Sequence, residues 1–127
     1  MKSYTDIEQS RKLAEILPIK SADMWWVERK PVYYLSFTKP SEENYSQDTI
    51  KDIPCWSLAT LLELLDDEIT DEYGNDYNLN IVKEGLQYQL YYHDSWGQAE
   101  DIETNYYDDM VDACVEMILK LKEKDLL

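Results

Sequence analysis

The sequence predicts an α+β domain: an antiparallel sheet of about four strands, arranged as two hairpins and packed with three helices, in the order α-β-β-α-β-β-α. Three observations carry this expectation. Two pairs of segments, residues 24–27 with 32–37 and 77–83 with 86–93, are rich in aromatic and β-branched residues. Apolar residues recur at helical spacing before, between and after those pairs. The 127 residues, 44% of them hydrophobic, suit a single domain over 1–127 with one core.

The first helix is expected to start at a capping box, Thr5 with Glu8, and to bury Ile7, Ser10, Leu13, Ala14 and Leu17 on one face. Pro18 ends it, because proline disfavours helical geometry in the residue before it. Met24-Trp25-Trp26-Val27 and Val32-Tyr33-Tyr34-Leu35-Ser36-Phe37 form the first hairpin, with Arg29-Lys30-Pro31 as its turn. Residues 39–51 are polar and read as a loop. Ser57 caps a short second helix whose buried stripe is Leu58, Leu61, Leu62, Leu65 and Ile69. An acidic connection, residues 66–76, follows it.

In the second hairpin Tyr77, Leu79 and Ile81 alternate with Asn78, Asn80 and Val82, and Leu86, Tyr88, Leu90 and Tyr92 with Gln87, Gln89, Tyr91 and His93. One covered and one more polar face is the pattern of an antiparallel sheet with a helix on one side. Glu84-Gly85 supplies its turn. Residues 95–104 read as a loop. The last helix starts at an Asp109 N-cap, buries a wide stripe around Met110, Cys114, Met117, Ile118 and Leu121, and ends among Lys120, Lys122 and Lys124, where cations suit the helix dipole.

Charge is unevenly placed. Residues 52–119 hold 17 acids and one base, Lys83, a charge of −16; the other 10 acids and 11 bases leave +1, giving the total of −15. This distribution disfavours nucleic acid as a partner, since the best basic groups are Arg29-Lys30 and Arg11-Lys12. No apolar run approaches the roughly 18–20 residues that span a bilayer, and Met1-Lys2-Ser3-Tyr4-Thr5-Asp6 lacks a hydrophobic signal core. A cytoplasmic protein without membrane association is expected. Cys55 and Cys114 sit among apolar neighbours and read as buried free thiols.

No catalytic, cofactor-binding or metal-binding constellation stands out. One histidine, His93, and two separated cysteines do not build a zinc site. The carboxylates around residues 66–76 lack the Asp-x-Asp-x-Asp-Gly spacing of a calcium loop. Three scattered glycines make no phosphate loop. His93 stands beside Asp94 and Ser95, but chain neighbours cannot reproduce a Ser-His-Asp triad, whose members converge from separate elements.

The aromatic residues remain. Neighbouring side chains on a strand face opposite sides, so each adjacent pair sends one ring inward and one outward. Trp25, Trp26, Tyr33, Tyr34, Tyr91, Trp96, Tyr106 and Tyr107 are the candidate interaction surface. A second helical layer over that face is the competing reading.

Three segments carry a resemblance: residues 8–18 (Glu8-Gln9-Ser10-Arg11-Lys12-Leu13-Ala14-Glu15-Ile16-Leu17-Pro18) with Ser21-Ala22-Asp23-Met24, then Ile53-Pro54-Cys55-Trp56-Ser57-Leu58-Ala59, then Val111-Asp112-Ala113-Cys114-Val115-Glu116-Met117-Ile118-Leu119-Lys120-Leu121. Together they resemble a family of small proteins of gut anaerobic bacteria, often in prophage or mobile-element neighbourhoods, that has no assigned activity. Met110 stands where that family often has proline. The resemblance implies a bacterial or phage cytoplasmic protein and assigns no functional residue.

Three functions compete on this reading. The first is a non-enzymatic accessory protein that binds another protein through an acidic and aromatic surface. The second is a DNA mimic that inhibits a nucleic-acid-binding protein through surface carboxylates. The third is a small hydrolase using paired carboxylates.

Overall fold

The computed structural model describes residues 1–29, 32–38 and 52–127. The predicted turn residues Lys30 and Pro31 and the predicted loop 39–51 lie outside these. Among the described residues the fold is α+β, with three α-helices and only antiparallel strand pairs, and the predicted order of helices and hairpins holds. The strands form two sheets, of three and four strands, and three short strands join the two hairpins. The chain divides into two compact units, one comprising Tyr4–Thr60 and the other Met1–Ser3 with Leu61–Leu127.

In the Tyr4–Thr60 unit, helix α1 spans Ile7–Ala14. Its capping box is Asp6 with Gln9: the Gln9 amide donates to Asp6 Oδ1 at 2.8 Å and the Asp6 amide to Gln9 Oε1 at 3.1 Å. This corrects the expected Thr5–Glu8 box by one residue. Thr5 is instead buried, sharing a hydrogen bond with Ser10 Oγ (2.7 Å) and accepting from the Trp56 amide (3.2 Å). Strands β1 (Met24–Arg29), β2 (Val32–Ser36) and β3 (Ile53–Cys55) form a sheet in the order β2-β1-β3. Leu13, Leu17, Met24, Trp25, Cys55 and Trp56 form its core. Trp56 is completely buried, and its indole N–H donates to Ser21 Oγ at 3.0 Å, which satisfies the one polar group its burial would strand. Helix α2, Leu58–Leu64, starts in this unit, and its residues from Leu61 on belong to the other. Ser57 caps it, accepting from the Thr60 amide, and Asp23 holds Ser57 through both its amide and its hydroxyl. The Asp23 carboxyl lies below its usual range: desolvation opposes this, but the Ser57 hydrogen bonds prevail.

In the other unit, strands β4 (Glu68–Thr70), β5 (Asp76–Glu84), β6 (Gln87–Asp94) and β7 (Ile102–Glu103) form a sheet in that order. Helix α3, Met110–Glu123, packs against β6. Asp109 caps α3 as expected, accepting from the Val111 amide at 2.9 Å. Leu90, Tyr92, Ile102, Val111, Met117 and Ile118 lie at the centre of this core. The β5–β6 turn is Gly85-Leu86, one residue later than expected, because Glu84 pairs with Gln87. Gly85 has φ +62° while Leu86 stays at negative φ, the pattern of a type II′ turn with glycine first. Cys55 and Cys114 are both buried and free. Among the described residues, no helix is long and apolar enough to cross a membrane.

Candidate functional site

The side of the β4–β7 sheet that carries the polar half of the hairpin alternation is built in rows. Strand pairing places Asn80 opposite Tyr91 and Tyr91 opposite Glu103; one step along, Asn78 stands opposite His93. Ile102 points into the core, so its neighbours Asp101 and Glu103 both point to this face. A concavity of about 410 Å³ results, lined by Asn80, Gln89, Tyr91, His93, Asp101 and Glu103. His93 Nδ1 lies 2.7 Å from Asp101 Oδ1. Sequence reasoning missed this acid: it weighed only Asp94, the chain neighbour, whereas the partner arrives from the next segment. Tyr106 joins the same face, near Glu84 and Glu103. Desolvation pushes its phenol up, and Glu84 and Glu103 add to the shift.

The loop from β6 to β7 carries Trp96, which is 76% exposed. Asp94 organises this loop from beneath. Its side chain is fully buried, and its carboxylate accepts the backbone N–H groups of Trp96 (3.0 Å), Gln98 (2.8 Å) and Ala99 (2.8 Å). These hydrogen bonds, the Trp96 amide's first among them, hold the Asp94 carboxyl below its usual range. The Gly97 amide donates to the Asp94 carbonyl, the Ser95 amide reaches the Asp76 carbonyl at 3.0 Å, and Asn78 Nδ2 donates to Ser95 Oγ. The loop backbone is therefore fastened to two strands while the indole stands in solvent.

The loop between β4 and β5 is built the same way. Asp71 accepts from the amides of Tyr73 and Asn75, from Asn75 Nδ2 and from the Tyr77 hydroxyl, and its carboxyl is lowered, chiefly by Asn75. Tyr73, at its tip, is 82% exposed. Both loops lie at one end of the sheet, since Tyr77 pairs with Asp94. A second concavity of about 550 Å³ there is bordered by Asp71, Glu72, Tyr73, Tyr77, Glu100 and Asp101, among others.

The candidate aromatics separate by position. Of each adjacent pair on a strand, one ring is more buried than the other, as strand alternation requires. Tyr92 is buried and Tyr91 half-buried on the polar face. Trp25 is buried, which removes it from any surface. Trp26 is half-buried, donating to the Thr5 carbonyl at 3.1 Å and meeting Tyr4 edge-on. Tyr33 is half-buried and its hydroxyl accepts from Arg11, whereas Tyr34 is exposed. Tyr107 exchanges backbone hydrogen bonds with Tyr88, and its phenol is pushed up, first by its hydrogen bond to Glu116. Tyr91, Trp96 and Tyr106 thus belong to the polar face and its loop; Trp26, Tyr33 and Tyr34 belong to the other unit. Compared with protein families, curated proteins and solved structures, the chain matches none.

Proposed function

We propose that this chain is a non-enzymatic, cytoplasmic accessory protein of bacterial or phage setting that binds another protein through an acidic and aromatic surface, with Trp96 as the anchor. The observation that carries this reading is a largely solvent-facing indole on a loop whose backbone is already immobilised by buried Asp94. Exposing an indole gives nothing to folding, whereas a rigid aromatic loses little entropy on docking. Tyr91 and Tyr106 extend the surface, and the carboxylates around them set the polarity of what can dock. The setting is supported by the two buried, free thiols and by the three motifs that carry the family resemblance.

The test is affinity capture with the wild-type chain, Trp96→Ala and Tyr34→Ala. A partner that is retained by wild type and Tyr34→Ala but weakened about tenfold or more by Trp96→Ala supports the reading. Equal capture by all three overturns it. Displacement of that partner by duplex DNA would make the chain a DNA mimic.

One contact favours a second reading, a hydrolase with a histidine base rather than the paired carboxylates expected from the sequence. Asp101 engages Nδ1 of His93, the arrangement that leaves Nε2 available as a base, and Glu103 lines the same concavity. That reading requires a turnover that His93→Ala abolishes and Trp96→Ala spares.

A further inference from the structure

Strand β5 is nine residues long, yet β4 covers only its start. Glu68, Ile69 and Thr70 pair with Asn78, Tyr77 and Asp76, and the Leu79 amide donates to the Asp67 carbonyl at 2.9 Å. Backbone groups alternate sides along a strand. Ile81 and Lys83 are in phase with Tyr77 and Leu79, so their N–H and C=O groups point to the same edge, away from β6. Among the described residues neither has a hydrogen-bond partner on that edge. Ile81 is 48% exposed, and Leu86, in the adjoining turn, is 84% exposed.

We propose that this edge takes an extended, lysine- or arginine-bearing segment of another protein as an added strand. Main-chain pairing supplies the contact, in the manner of strand addition to an open sheet edge. Charge selects the occupant. Asp66, Asp67 and Glu68 stand at one end of the open stretch and Glu84 at the other, all exposed, and Lys83 is the one base between residues 52 and 119. A second copy would bring −15 against −15. A cationic strand meets carboxylates at both ends, lays one set of side chains beside Ile81, and sets the other beside Val82 on the face that carries Tyr91. The inference names how a partner would engage, and so rests on the protein-binding reading.

The experiment uses the ¹⁵N-labelled full chain and three blocked hexapeptides: Lys-Val-Lys-Val-Lys-Val, its fully N-methylated form, and Glu-Val-Glu-Val-Glu-Val. Only the first is expected to shift the Ile81 and Lys83 amides and slow their hydrogen exchange about tenfold or more, the other two binding at least about tenfold more weakly. Absence of binding overturns the proposal. So do shifts scattered over the acidic surface without slowed exchange at Ile81 and Lys83. Slow exchange there in the peptide-free chain, with a dimer in sedimentation, assigns the edge to a second copy instead. If Trp96→Ala weakens partner capture while the lysine peptide fails, the Trp96 reading stands and the added strand does not.

Discussion

The buried carboxylate of Asp94 accepts the backbone N–H of Trp96 at 3.0 Å, so the most internal acid of the sheet positions its most exposed indole. Asp94→Ala would leave three backbone donors without their acceptor. The expected result is a Tm lower by roughly 5–10 °C, with Asp94→Asn in between. The Trp96 amide should also lose exchange protection. Unchanged thermal unfolding of Asp94→Ala would remove the carboxylate from its organising role.

Because the folded Asp94 carboxyl lies below its ordinary value, ionised Asp94 favours the folded state. Its contribution is complete above the unfolded carboxyl range, near pH 4, and is lost as pH falls through the lower folded value. Asp71 and Asp23 are shifted the same way and add to the acid sensitivity. Urea unfolding of wild type and Asp94→Asn between pH 5 and pH 2 checks this, with a shallower loss expected for the variant. Parallel curves would contradict it.

The cap of α1 makes a second comparison. Asp6→Ala removes the acceptor for the Gln9 amide and should cost about 1 kcal/mol by chemical denaturation. Glu8→Ala, at the position first expected to complete the box, should change stability by less than about 0.5 kcal/mol. Among the described residues Glu8 makes only an exposed 3.6 Å contact with Lys12.

Burial pushes the Cys114 thiol up to about 12, with the Asp109 charge adding to the effect; Cys55 is raised chiefly by desolvation too. Both thiols should therefore resist an aromatic disulfide reagent in the native chain at pH 8 and react once urea unfolds it. Raised thiol values also mean that stability held below the unfolded thiol range is lost as pH climbs above it. Rapid modification of either thiol in the folded chain would refute this.

Gly85→Ala should destabilise by about 1 kcal/mol through its positive φ alone, since a Cβ there meets nothing within 4 Å. Gly85→Asn should cost less, because asparagine tolerates that region better. Denaturant midpoints of the two variants provide the check.

The fold class and the hairpin order were legible because long, strongly periodic segments announce themselves. Residues 77–94 alternate, and residues 110–121 repeat at helical spacing. Strands β3, β4 and β7, of three, three and two residues, are too short to display a period; β4 and β7 lie in segments that read as connections, and Ile69, expected on the stripe of the second helix, belongs to β4. The division into two sheets followed from what β3 pairs with, and pairing partners are not written in local pattern. Alternation separated Tyr91 from Tyr92 correctly. Neither the His93–Asp101 contact nor the buried Asp94 was foreseeable, since an acid in an acidic window carries no mark of the environment it will occupy.

The second unit is discontinuous: its first three residues precede the 4–60 unit and the rest follow it. The Lys2 amide and ammonium reach Asp109 and Asp112, at 2.6 and 2.7 Å. On the ribosome, every residue of the 4–60 unit is translated before Leu61 and the residues that follow it. The Lys2 contacts, separated by 107 and 110 positions, can close only when α3 is released. Nascent-chain maturation then has a built-in sequence: the three-stranded sheet can assemble first, and the amino-terminal clasp is among the last contacts to form.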